Sequence, residues 1–205
     1  MRDNASGILF IICAPSGTGK STLVEKITTE FDNFEFSLSC TTRKPRPGEV
    51  HGKDYYFLEK EEFLDLVKKG YFAEWAEVHS NYYGTPCEEI AKITDRGSDI
   101  LFDIDIQGAR QLRKNLENGV FVFILPPSKQ ILKQRIQSRG TDSEEVIQKR
   151  LEKAREELQA AEEFDYCVIN RDLEQAFDKL RSIYLAEKSR TYYSKKIVET
   201  LLKNW

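Results

Sequence analysis

The chain has 205 residues, 40% of them hydrophobic, which is enough for one sizeable core and short of what two independent domains usually need. Its 31 basic and 34 acidic side chains nearly cancel, so no overall field draws it toward nucleic acid or a membrane, and any basic site has to be local. The cysteines at 13, 40, 87 and 167 form no CxxC pair and have no histidine at metal-ligand spacing, which suits reduced, mostly buried thiols.

The first apolar run, residues 8–13, is too short for a signal h-region or a membrane span, and a cytoplasmic protein is the expectation. Residues 7–13 are continuously apolar and β-branched between turn formers, which predicts a fully buried strand. A turn over residues 14–19 follows, and from Lys20 the apolar residues Leu23, Ile27 and Phe31 recur every four positions, as on an amphipathic helix ending before Asp32. Residues 37–54 are basic and proline-rich without a helical period, so they are expected to form a surface loop. Residues 55–58 read as a short strand, 60–69 as a helix closed by Gly70, and 72–79 as a strand with alternating faces. Residues 99–106 and 120–125 are apolar strands that each follow a helical stretch, the alternation a doubly wound parallel sheet requires.

Residues 128–138 predict a helix, and Arg139-Gly-Thr-Asp142 a turn. Thr141-x-x-Glu144 reads as a capping box opening a charged helix toward Glu163. Such a polar helical hairpin suits a lid. A last short strand over 166–169 precedes a C-terminal helix built around Ala176, Leu180, Ile183 and Leu185.

Ala14-Pro-Ser-Gly-Thr-Gly-Lys-Ser21 has the spacing of a phosphate-binding loop, departing from the strict pattern only in Ala14 where glycine is usual. Gly17 and Gly19 let successive N–H groups turn inward beside the positive end of the following helix, Lys20 adds a mobile charge, and Ser21 offers a hydroxyl to Mg²⁺. Ala14, Pro15, Ser16, Thr18 and Thr22 complete the candidate ATP-binding loop. Asp103 and Asp105 stand at period two near the end of a predicted strand, so they are expected on one face bordering the phosphates, with Asp103 a further candidate metal contact through water.

Arg43 and Arg46, with Tyr55 and Tyr83, offer charged forks and phenolic donors for a second phosphate; the arginine pair taken alone reads equally as a solvated basic loop. Arg135, Arg139 and Arg150 are spaced so that a closing lid brings them onto a transferring phosphoryl group; taken alone, they read equally as surface charges. No histidine stands in a general-base motif, and a phosphate nucleophile, whose second pKa is about 6, needs none.

Ser39-Cys-Thr-Thr-Arg-Lys-Pro-Arg-Pro-Gly-Glu49, Gly52-Lys-Asp-Tyr55, Glu74-Trp75, Asn81-Tyr-Tyr-Gly84 and Asp103-Ile-Asp105 together resemble the guanylate kinase family, in order over nearly the whole chain. The resemblance implies an α/β fold with a P-loop NTPase-type parallel sheet flanked by helices, about residues 1–37, 93–127 and 159–205. To this it adds a small GMP-binding lobe at about 38–92 and a helical lid at about 128–158. It implies transfer of a phosphoryl group from Mg-ATP to GMP, with Arg43, Arg46, Tyr55 and Tyr83 on the GMP phosphate and Ser39, Glu74, Thr85 and Asp105 around guanine. Lys20, Arg43, Arg135, Arg139 and Arg150 would carry the charge of transfer, and Asn170 would touch the adenine of ATP.

Guanine agrees chemically: its N1–H and N2–H₂ donors suit a carboxylate such as Glu74 and its O6 a hydroxyl such as Ser39. A kinase acting on AMP or a ribose bisphosphate is the rival within this architecture, and Ser39 with Glu74 speaks against it. A non-catalytic guanylate-kinase-like binding module is the rival from another class, and the intact Gly17, Gly19, Lys20, Ser21, Arg43, Arg46 and Glu74 speak against that. Oligomerisation and the choice between GMP and dGMP stay open.

Overall fold

The computed structural model describes residues 6–116, 118–138 and 143–205, apart from the side chain of Lys196. Arg139 and Thr141 lie outside them. Strand β1 (Leu9–Cys13) is buried along its whole length because both faces of its sheet are covered. Phe10 and Ile12 pack with Leu23 and Ile27 of helix α1 (Lys20–Glu30), while Leu9, Ile11 and Cys13 pack on the opposite side with Ile90, Ile93 and Leu112.

β1 lies at the centre of a five-stranded sheet ordered β2-β7-β1-β8-β9. The other members are β2 (Phe34–Glu35), β7 (Asp99–Asp103), β8 (Val120–Leu125) and β9 (Tyr166–Ile169), all paired in parallel. In such a sheet ligands gather beyond the carboxyl ends of the strands, where the segments after β1, β7, β8 and β9 converge.

Residues 37–54, expected as surface loop, include a buried strand. Cys40 and Thr41 form strand β3 (Cys40–Thr41), buried because it pairs between β4 (Tyr56–Phe57) and β6 (Asn81–Pro86) in a second sheet ordered β4-β3-β6-β5. Phe63 of α2 (Lys60–Lys68) closes this lobe by stacking on Phe72 and Tyr82. β5 (Phe72–Val78) turns into β6 through His79 and Ser80, both at positive φ, so His79 belongs to the hairpin turn and not to the strand.

α3 (Cys87–Asp95) leads back into the main sheet, and α4 (Ile106–Asn115) joins sheet and lobe. Gln111 clamps the backbone of Trp75 with both amide atoms, at 3.0 and 2.8 Å, and Asn115 donates to the carbonyl of Ala73 at 2.9 Å. α5 (Lys129–Gln137) and α6 (Glu144–Leu158) share a separate apolar cluster of Leu132, Ile136, Ile147, Leu151 and Ala154. The described N-cap of α6 is Ser143, whose hydroxyl accepts from the N–H of Val146, so the capping box expected to start at Thr141 is not the cap used. The charged helix stops at Leu158 and continues as a 3₁₀ turn over Gln159–Glu163.

The C-terminal helix α7 (Leu173–Lys188) buries Ala176, Phe177, Leu180 and Tyr184, leaving the expected core residue Leu185 exposed, and α8 (Thr191–Lys203) is a separate helix. A buried charge ties α7 to the sheet. Asp99 is fully buried and accepts from the N–H of Ile8 at 2.8 Å, the Asn33 amide, the Tyr184 hydroxyl and the Lys188 ammonium. Burial, and then the bond to Asp99, push the Tyr184 hydroxyl pKa well up, so it stays a donor. Asp99→Ala removes the acceptor shared by four donors, of which Tyr184 keeps the Asn33 side-chain oxygen at 3.1 Å, and is expected to cost about 3 kcal/mol, read from urea unfolding midpoints. A cost below about 1 kcal/mol would mean the network contributes little beyond its desolvation penalty.

Candidate active site

The loop after β1 makes a hydrogen-bonded turn, with the N–H and hydroxyl of Thr18 donating to the carbonyl of Pro15 at 3.3 and 2.9 Å. Gly17 and Gly19 have φ of 89° and 91°, a region that disfavours side chains. A Cβ on Gly19 would stand 2.5 Å from the Asn170 amide nitrogen, and one on Gly17 would press on Ile136 of α5. The loop therefore needs glycine for its turn and for the close approach of two neighbouring elements.

Lys20 opens α1, forms an ion pair with Asp103 at the end of β7, and donates to the carbonyl of Ile104 at 3.3 Å. Ser21 and Thr22 are exposed in the first turn of α1. Ala14 is half-buried, Pro15 is buried, and Ser16 is exposed at the loop's tip. The Cys13 thiol, pushed up to about 12 chiefly by burial, donates to the carbonyls of Ile104 and Asp105 at 3.2 and 3.4 Å and so ties β1 to the turn after β7.

Asp105 is not on the strand with Asp103. β7 ends at Asp103, and Asp105 is the N-cap of α4, its carboxylate accepting from the N–H of Gly108 at 2.9 Å. The pair does not share a strand face, although both charges stay near the site. The carbonyl of Thr18 accepts from Asn170 at 2.7 Å and from Arg135 of α5 at 3.3 Å, so the strand end after β9 and the α5 helix both grip the phosphate loop. Beside Arg135 lies a pocket of about 680 Å³ lined also by Pro127, Ser128, Ile131 and Arg171. Oδ1 of Asn170 is buried without a hydrogen-bond partner among the described residues.

In the lobe, the β5–β6 register shifts between Phe72 and Glu74, a bulge that sets Glu74 directly opposite Thr85. Thr85 donates to the Glu74 carboxylate at 2.6 Å, and the Ser39 hydroxyl lies 3.5 Å from that of Thr85. Burial raises the Glu74 pKa; the Thr85 bond lowers it in part and the charge of Asp105 raises it further. Arg43 lies 5.5 Å from the ring centre of Tyr55, which meets Tyr83 edge-on at 6.2 Å. Arg46 contributes an exposed side chain.

A scan of family models finds guanylate kinase over residues 6–187. The chain belongs to the guanylate kinase family. It is 52% identical over 200 residues to a guanylate kinase of Nitratidesulfovibrio vulgaris, covering 98% of this chain and 97% of that one. It is 46% identical over 205 residues to one from Lawsonia intracellularis, covering 100% and 97%. Among solved structures, a guanylate kinase from Anaplasma phagocytophilum superposes with a TM-score of 0.63 at 34% identity, covering 94% of this chain and 92% of that one. The chain is therefore a nucleoside monophosphate kinase, from a family that phosphorylates GMP with ATP.

For this guanylate kinase family member, the structure brings Lys20 to Asp103, Asn170 and Arg135 to the phosphate loop, and Ser39, Thr85 and Glu74 into one cluster. Arg150 is half-buried on α6, and Arg139 falls outside the described residues. Three participants were not singled out from the sequence. Glu49 grips Arg43, and its signal was its place three residues after Arg46 in the proline-rich motif. Arg171 lines the pocket beside α5. Glu157, near the end of α6, has a pKa raised by burial, and the charges of Lys153, Asp105 and Lys20 also act on it.

Proposed function

We propose that the protein transfers the γ-phosphoryl group of Mg-ATP to GMP, and to dGMP, giving ADP and GDP or dGDP, so that it recycles GMP in purine metabolism. The observation that carries this reading is the Glu74–Thr85–Ser39 cluster, a half-buried carboxylate beside two hydroxyls that suits the donor-rich edge and O6 of guanine. Asp105 adds a second acceptor from the cap of α4. Arg43, Arg46, Tyr55 and Tyr83 hold the acceptor phosphate in the lobe of residues 38–92. None of these roles requires a ribose 2′-hydroxyl, which supports the deoxy acceptor.

On the donor side, the loop of residues 14–22 cradles the triphosphate with backbone N–H groups at the start of α1. Oδ1 of Asn170, without a partner among the described residues, fits an adenine amino group next to the Arg135–Arg171 pocket. The Ser21 hydroxyl and the partly exposed Asp103 carboxylate are hard oxygen donors of the kind Mg²⁺ accepts while keeping several waters. When bound with ATP, Mg²⁺ supplies charge neutralisation on the phosphates.

An oxygen of the GMP phosphate attacks Pγ in line, forming a new P–O bond as the bond from Pγ to the β-phosphate oxygen breaks. Lys20 follows the charge moving onto the leaving oxygens, and Arg43, Arg135, Arg139 and Arg150 neutralise the transferring group. The lid of residues 128–158 closes over it and excludes water. The free cysteines among the described residues suit a reducing cytoplasm.

ADP release should be measured with Mg-ATP against GMP, dGMP, AMP, UMP, CMP and ribose 1,5-bisphosphate. Turnover is expected with GMP and dGMP, with AMP slower by roughly 10⁴-fold, and none after chelation of magnesium. Comparable turnover with AMP would refute the guanine pocket while keeping the phosphate loop.

A further inference from the structure

We propose that Glu49 is a positioning residue for the acceptor phosphate, holding Arg43 by one edge so that its remaining N–H groups stay aimed at the phosphate. The inference rests on the reading above that Arg43 binds the GMP phosphate. Nη1 and Nη2 of Arg43 donate to Oε2 and Oε1 of Glu49 at 3.0 and 2.9 Å, a fork-on-fork pair. The second hydrogen of Nη1 goes to the carbonyl of Lys44 at 2.8 Å. A guanidinium has five N–H groups. Three are thus committed to the loop, and Nε with the other hydrogen of Nη2 remains on an edge that Glu49 does not hold, beside the Tyr55 ring and with the Tyr83 hydroxyl as a further, exchangeable partner of the group.

Oε2 of Glu49 also accepts from the backbone N–H of Arg46 at 2.7 Å, and the N–H of Glu49 returns a bond to the carbonyl of Arg46 at 3.0 Å. One carboxylate therefore sets both arginine positions of the basic loop. The Arg43 and Glu49 side chains are 16% and 20% exposed, so the pair is only partly screened by water. The bond from Arg43, followed by that from the Arg46 backbone, holds the Glu49 carboxyl below the usual glutamate range, so it remains an acceptor.

A carboxylate in this place could instead be a stand-in for phosphate, expelled when GMP arrives. Expulsion would leave the Arg46 N–H without its acceptor and a tethered negative charge beside the incoming dianion, both unfavourable. Arg43 keeps an edge that Glu49 does not hold, so phosphate can bind there without that exchange. The two arrangements predict opposite signs: an orienting residue strengthens GMP binding, and a competing one weakens it.

Dissociation constants for GMP and for guanosine, measured by calorimetry on the full chain, separate them. Glu49→Gln is expected to weaken GMP roughly tenfold and to leave guanosine within about twofold. In an Arg43→Ala background the same change should shift GMP by less than about twofold, because the partner it acts through is gone. Tighter or unchanged GMP binding by Glu49→Gln, with Arg43→Ala still weakening it, would overturn the inference and leave the phosphate site standing. An equal loss of guanosine binding would also overturn it, by assigning Glu49 to folding of the lobe. If Arg43→Ala leaves GMP affinity unchanged, the phosphate assignment itself fails. Should Glu49→Gln not fold, Glu49→Asp, which keeps the charge but is one methylene too short to hold the fork, should show the same pattern.

Discussion

Lys20→Ala is expected to lower kcat by at least about 10²–10³-fold, the usual cost of removing one group aimed at developing charge. Its ammonium is held ready at the mouth of the phosphate loop by Asp103 and the carbonyl of Ile104, contacts it can exchange for phosphate oxygens when the triphosphate binds. The fold should lose little. Asp103 is 37% exposed, so water solvates its carboxylate once the ammonium is gone, and the pair contributes no more than about 1 kcal/mol. The variant should unfold within a few degrees of the parent, with the deficit confined to turnover. A kcat within about tenfold of the parent would remove Lys20 from the chemistry.

Glu74→Ala is expected to collapse the preference for GMP over AMP from roughly 10⁴-fold to within about tenfold. The physical cause is the bulge after Phe72, which places a half-buried carboxylate opposite the buried Thr85. There, GMP donors left without an acceptor, or an adenine lone pair facing the carboxylate, is costly. Specificity constants for both nucleotides test this, and a retained preference would move guanine recognition elsewhere in the lobe.

The same residue gives a pH dependence of known sign. Burial raises its pKa, so the neutral acid persists to higher pH than for an ordinary glutamate. KM for GMP should therefore rise as pH falls through that raised value, while KM for ATP, which does not meet Glu74, should not follow. For the fold the sign is reversed: a raised carboxyl pKa means the ionised form costs stability above it and nothing below the unfolded-state pKa. Above that pKa Glu74 therefore costs the fold stability, a cost that the proposed contact with guanine would explain.

Much of this was legible in the chain. A continuously apolar strand, two glycines in a loop and a four-residue apolar period identify β1, the phosphate loop and α1, because each is set by local geometry over a few residues. Ser39, Glu74 and Thr85, which the motifs single out, do come together in the lobe, and the donors and acceptors that guanine demands are the chemical reason for the role proposed for them. The strand β3 was not legible, because Cys40 and Thr41 are too short a segment to show a period and become strand only through partners at 56–57 and 83–84. Asp105 was misplaced onto β7 for a related reason. An aspartate two residues past a strand residue looks the same in sequence whether the strand continues or a helix begins.

The sequence by itself determined the family, the phosphate loop and the chemical class of both substrates, since these depend on residue types at fixed spacing. Only the tertiary structure decided how the pieces meet. The bulge that sets Glu74 opposite Thr85, the grip of Asn170 and Arg135 on Thr18, and the α4 amides that bind the lobe strand to the core all join residues distant along the chain. Such contacts depend on packing between elements, which no local pattern of side chains encodes.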